Sequence, residues 1–263
     1  MIKKIDSDKL VTLINSSPNF ADPEALRREG EIFFIGANLP IHSTLETMYE
    51  SYCQESSELF HVTFGEAGMF EHNLEMVRQI KRNFSIRLMG RIEYPLSAVQ
   101  VERVYLAGLD LLDIQQSSYE AQPDDRWRTA LNTANTTFTR WSVVSSIDAA
   151  HATPRAVHDK IVELLAEGVI PLLKPAGESA LWPLEETTNT FNFLAIEWHR
   201  HRVPLKPVMP LLRLSTPFVL AEPPGFLRGV IEKLQDRHTL ATSDLRRHLR
   251  TSGAEASFES AGL

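Results

Sequence analysis

Four side chains in this sequence have the chemistry of acid–base catalysts: Glu66, Asp148, His151 and Lys174. A carboxylate, an imidazole or an amine can move a proton when its surroundings bring its pKa near the working pH. Glu66 follows Gly65 at the end of the run LFHVTFGE. An acid placed there can accept a ligand ammonium, or simply be held by the dipole of a following helix. Arg91, Glu93, Gln115, Gln116, Ser145, Ser146 and Glu178 also lie at the ends of apolar runs. Together such groups could bind a polar small molecule through a few placed contacts. Each alone is equally an exposed loop residue or part of an ion pair, and Arg91 and Glu93 can pair with neighbours.

Metal and thiol chemistry find less support. His42 stands alone in its loop, and a metal site needs several converging ligands. His199 and His201, in WHRHR, point to different faces of a helix. They read as surface residues near a helix C-terminus, where basic groups are favoured. Cys53 is the only cysteine; with no base to activate it, it reads as a structural thiol. No G-x-S-x-G elbow and no P-loop occurs. No metal is expected, and no catalytic residue is assigned beyond the four candidates.

The elements that must hold these residues alternate in type. Apolar runs at 31–37, 59–64, 85–92, 109–115, 141–147 and 169–174 read as buried strands. Helical patterns fall between and after them at 44–56, 70–83, 97–106, 123–138, 153–167 and 183–201. Strands that are near-continuous apolar runs belong to a parallel sheet covered by helices. With six such units and no G-x-G-x-x-G, the expected fold is an α/β open (β/α)6 TIM-like partial barrel with parallel strands. N-terminal and C-terminal helical extensions are expected to flank it.

The expected divisions are a helical lead-in over 1–30, the barrel over 31–212 and a C-terminal extension over 213–263. Residues 1–20 are predicted to form an amphipathic helix and 24–28 a short helix capped by Asp22. Residues 208–212 are predicted to be a final short strand. Helices at 226–236 and 242–250 and a disordered tail at 254–263 complete the expectation.

Composition narrows the class. The chain has 263 residues, 43% hydrophobic and 23% charged, with a net charge of −7. That length supports a large core. The negative balance argues against a nucleic-acid partner, whose phosphates need a basic stripe. No apolar run is long enough to span a bilayer, and MIKKIDSDKL lacks the apolar stretch of a secretory signal. A single cysteine makes no internal disulfide, so the expected compartment is the cytoplasm.

Several motifs together resemble the radical SAM superfamily, in its biotin-synthase-like branch. After the first strand comes ANLPIHST, residues 37–44, in the place of that family's CNLxCxxC-type loop. Its cysteine positions fall on Ala37, Ile41 and Thr44. The pair Gly65-Glu66 matches part of the GGEP-like motif that contacts the amino group of S-adenosylmethionine, with Phe64 and Ala67 departing from it. AGLDLLDIQQSS resembles the family's fourth strand, and GVIPLLKP, beginning at Gly168, resembles its last.

The resemblance covers residues 24–212 and implies S-adenosylmethionine as ligand, with Gly65, Glu66, Gln115 and Ser145 as binding candidates. With the three cysteines gone and clusters held by thiolates, no [4Fe–4S] cluster is expected. The resemblance implies a cluster-less pseudoenzyme, a non-redox accessory or substrate-presenting partner in a hetero-oligomer with a radical SAM paralogue. The alternative is a barrel enzyme that binds S-adenosylmethionine or another small polar ligand at the strand mouth and does non-radical chemistry.

Overall fold

The computed structural model describes residues 2–16, 22–115, 125–149, 152–175, 182–220, 240–247 and 249. In chain order it begins with strand β1 (Ile2–Ile5) and helix α1 (Ser7–Asn15). Asp6 starts α1 by accepting the backbone N–H groups of Asp8 and Lys9, the ordinary N-cap bond. The single helix expected over 1–20 is therefore corrected: its first residues form a strand instead. β1 has a partner at the other end of the chain, running antiparallel to β9 (Phe218–Leu220).

The predicted helix at 24–28 is also corrected. Strand β2 (Leu26–Glu29) runs antiparallel to β3 (Ile32–Ile35), from Leu26 opposite Ile35 to Glu29 opposite Ile32. Gly30, with φ +58°, and Glu31 form the two-residue turn. A positive φ at such a turn suits glycine, and the hairpin satisfies backbone groups that five residues of helix could not.

Helix α2 (Ile41–Glu50) begins just after Pro40, and α3 (Cys53–Ser56) follows a left-handed Tyr52. The predicted single helix is thus split. Then come β4 (Leu59–Phe64), α4 (Phe70–Asn83), β5 (Arg87–Ile92), α5 (Ala98–Ala107), β6 (Leu111–Ile114) and α6 (Asp125–Thr137). They are followed by β7 (Val143–Asp148), α7 (Pro154–Glu167), β8 (Ile170–Lys174) and α8 (Leu184–Arg200). Ser97 and Thr153 cap α5 and α7 at their starts, and Gly108 and Gly168 at their ends. The last strand predicted at 208–212 is a 3-10 turn leading into helix α9 (Met209–Ser215). Pro207 and Pro210 sit in the first turns of these two pieces, where the missing N–H has no partner to lose.

β2 to β8 form one seven-stranded sheet in strict sequence order, open between β2 and β8. From β3 onward every pairing is parallel. The order never reverses, so the sheet lacks the switch point of a doubly wound fold. The fold is α/β with a mostly parallel sheet. The strands expected to be parallel over 31–212 are parallel, from β3 to β8. The antiparallel β2 lies in the lead-in, and the terminal extensions contribute strands as well as helices.

The helices form a layer in which α2 packs on α4, α4 on α5, α5 on α6, and α7 on α8. Every residue of β3, β4 and β6 is buried, as expected for strands covered on both faces. No helix among the described residues is long and apolar enough to cross a membrane.

At the lower end of the sheet, a helix over 240–247 docks onto the start of β6. Gln116, His151 and Glu178, the helix predicted at 226–236 and the tail at 254–263 lie outside the described residues.

Candidate functional site

Successive side chains of a strand point to opposite faces of the sheet. Ile114 and Ser145 line a narrow cleft with Trp127, Arg128 and Leu131 of α6 and Lys160 and Glu163 of α7. They therefore face the helix layer. Asp113 and Ser146, one residue away, face the other side. The register carries this face across the sheet, with Thr63 opposite Arg91 and Arg91 opposite Asp113. His61 lies on it too, two residues before Thr63.

The second face is polar, and it is buried. His61 is 0% exposed, Asp113 1%, Arg91 7% and Gln115 8%. Arg91 organises it. Its Nε and Nη2 donate to Glu93 Oε1 at 3.0 and 2.7 Å, and Nη2 also donates to Gln115 Oε1. Its Nη1 lies 3.6 Å from Asp113 Oδ2, an ion pair too long for a hydrogen bond. Asp113 Oδ1 accepts no hydrogen bond from any described residue.

These surroundings shift two groups. Burial pushes the Asp113 carboxyl up to about 6; Arg91 and hydrogen bonding from Ser146 oppose the rise, and Glu93 adds to it. Burial, and after it the Arg91 charge, together lower His61 to about 3. His61 is thus a neutral imidazole at physiological pH, its ring 5.2 Å from that of Phe34. Perturbed groups gathered at one place are a recognised mark of a functional site.

Of the residues expected from sequence, the structure brings Arg91, Glu93 and Gln115 together. Asp148 and Lys174 are register neighbours at the ends of β7 and β8, Lys174 exposed and Asp148 half-buried. Ser145 is turned toward α6 and α7, away from this group. Gly65 packs against the loop after β3: a Cβ there would lie 2.9 Å from the Ala37 Cβ. Glu66 is exposed just beyond it.

His42 is exposed on α2, and the described residues contain no group of three metal-ligating side chains. His199 and His201 fall at the end of α8, where His201 lies 3.8 Å from Glu197. Cys53 is buried and its thiol is pushed up by that burial, which keeps it from being a ready nucleophile.

The sequence reading missed Asp113, His61 and Thr63. A signal was present: each is a polar residue inside an otherwise apolar strand, in LLDI and LFHVTF. A charged group there must face a partner or a ligand.

No protein-family model matches this chain. No curated protein matches it either. The functional reading therefore rests on geometry.

Proposed function

We propose that this chain is an open (β/α)6 partial barrel that binds a small polar ligand at the mouth formed by the C-terminal ends of its strands. The observation that carries this reading is the Arg91–Glu93–Gln115–Asp113 group on the face of the sheet opposite the α6–α7 layer, with Arg91, Gln115 and Asp113 buried and Glu93 partly exposed. A curled parallel sheet with its helices outside puts such a face inside the barrel. Barrel enzymes bind and react at the C-terminal ends of their strands.

S-adenosylmethionine is the proposed first ligand, with Gly65 and Glu66 as the ammonium-binding turn and Gln115 as a polar contact. Gly65 comes close to Ala37 in the loop after β3, so the two stretches that carry the resemblance lie side by side. An iron–sulfur cluster does not fit the side chains present. Ala37 is buried and has no ligating atom, Ile41 opens α2, and the Thr44 hydroxyl donates to the Pro40 carbonyl at 2.6 Å. The chemistry proposed is therefore non-radical. Asp148 and Lys174, side by side on β7 and β8, are its proton-transfer candidates.

Calorimetric titration of the purified protein with S-adenosylmethionine, beside Glu66→Ala and Glu93→Gln, tests the reading. Binding that weakens about tenfold in each variant, or about 1.4 kcal/mol, is expected. Heat indistinguishable from dilution in the wild type would remove S-adenosylmethionine as ligand.

A second reading, that of a non-redox accessory to a radical SAM paralogue, is favoured by the loop itself. Residues 37–44 keep the spacing of a cluster loop and hold no thiolate. Co-purification with such a paralogue is its expected outcome, and a monomer with no such partner counts against it.

A further inference from the structure

Asp113 is served differently from the other acid beside Arg91. Glu93 Oε1 takes two of the guanidinium's hydrogen bonds, and Gln115 takes another. Asp113 is left with an ion pair at 3.6 Å and the hydroxyl and backbone of Ser146. Its Oδ1 is buried and accepts nothing from the described residues.

A buried carboxylate oxygen without a donor is unfavourable, so a bound group that donates to it would be held tightly. The charges facing it set the kind of donor. Beside Asp113, on β5, is Arg91, with Glu93 just past the end of that strand and Arg87 at its start, four residues before Arg91. On β4 there is His61, held neutral by burial, and on β7 Asp148 beyond Ser146. With Asp113 ionised, the two acids Asp113 and Glu93 outnumber the one guanidinium beside them, while Asp148 and Lys174 are register neighbours of opposite charge at the ends of β7 and β8. A cationic donor would correct this imbalance, which a neutral hydroxyl would leave.

We propose that Asp113 Oδ1 binds the protonated amine of a small ligand, with Arg91 and Glu93 holding the carboxylate in place. The proposal rests on the ligand site proposed above and calls for a protonated amine at its inner end, distinct from the ammonium met at Gly65 and Glu66. It therefore describes a ligand with an inner amine that S-adenosylmethionine itself does not carry. One ion pair is formed and no bond is broken. Since only the ionised carboxylate pairs with the amine, binding favours loss of the Asp113 proton. Affinity is then highest above the Asp113 midpoint and falls as pH drops through it.

The test uses the full chain carrying 13C at its aspartate side-chain carboxyls. The Asp113 signal, assigned through Asp113→Asn or through-bond spectra of the wild type, is followed against pH. The probes are methylammonium chloride, sodium chloride at equal ionic strength, and methanol. The expected result is a midpoint near neutral-acid pH that methylammonium moves down by about one unit, a tenfold preference for the ionised form, while salt and methanol leave it in place. A midpoint unmoved by methylammonium, or moved equally by sodium chloride or methanol, overturns the proposal. The readout is independent of Glu66 and of S-adenosylmethionine. Failure of that ligand to bind therefore leaves this test readable, and failure here with that ligand bound sinks only the amine assignment.

Discussion

Gly36 stands where the backbone of Pro23 crosses the end of β3. A Cβ there would lie 2.2 Å from the Pro23 carbonyl oxygen, and its own N–H donates to Ala25 O at 2.7 Å. Backbone cannot swing aside as a side-chain tip can. Gly36→Ala is therefore expected to cost about 3 kcal/mol, at the upper end for overpacking. At Gly65 the obstacle is the Ala37 Cβ at 2.9 Å, which needs only a small shift of the loop. Gly65→Ala should cost about 1 kcal/mol. Urea-unfolding midpoints of the two variants give the comparison, and a Gly36→Ala protein as stable as the wild type would refute the close approach. Asp113 and His61 show the same dependence on a single position, since one step along the strand would turn either toward the helices.

The helix over 240–247 illustrates how an element is held by a few charged contacts. Arg247 Nη2 donates to Leu109 O at 2.6 Å and to Asp110 Oδ1 at 2.8 Å. Its Nη1 donates to Asp244 at 2.6 Å, and its guanidinium lies over the Tyr105 ring. Asp110 also accepts from Lys81 and from the backbone N–H of Leu88, so it joins this helix to α4 and β5. Leaving a buried charge uncompensated costs roughly 3–5 kcal/mol. Without Arg247 the acid keeps Lys81, but the bonds to Leu109 O and Asp244 and the contact with Tyr105 are lost as well. Arg247→Ala should lose about 3 kcal/mol and open the helix to proteolysis. Lys81→Ala should lose less, because Arg247 still neutralises Asp110. Thermal melts with limited proteolysis separate the two, and equal losses would mean that Arg247 is not the principal tie.

For the molecule as a whole, the polar inner face makes stability depend on pH through two opposing groups. His61 has a folded pKa lowered from 6.5 to about 3. Its contribution is present above pH 6.5 and is lost as pH falls toward 3, because the unfolded chain takes up the proton first. Asp113 has a folded pKa raised from 3.8 to about 6. Its contribution is fully present below pH 3.8 and is lost as pH rises through 6. At about 1.4 kcal/mol per unit, the His61 effect is roughly 5 kcal/mol and the Asp113 effect roughly 3. Between about pH 6 and 4 the two slopes are equal and opposite and nearly cancel, and the net loss of stability falls below about pH 4, where the histidine alone still titrates. Asp113→Asn should uncover the histidine's loss between about pH 6 and 4, and His61→Gln should leave a gain in stability as pH falls through that range. Urea unfolding across this range measures both, and unchanged slopes would show that neither group titrates with folding.

The alternation of strands and helices from residue 59 to residue 200 is legible in the amino-acid sequence alone. Buried parallel strands are short apolar runs, and the helices between them carry local start and stop signals, such as Thr153 and Gly168 around α7. Local chemistry suffices there. It also brought Arg91, Glu93 and Gln115 into view, because residues at strand ends reach the same mouth whenever the strands are parallel. Which face each residue takes, and which distant segment pairs with it, is settled only once the sheet is assembled. Ser145 and Ser146 are equivalent in sequence, yet one step sends the first to the helices and the second to Asp113. Leu26–Glu29 is a strand only because Ile32–Ile35 lies beside it, and β1 only because β9 returns to meet it. Asp113 comes beside Arg91 through a shared register, and register is a property of the assembled sheet.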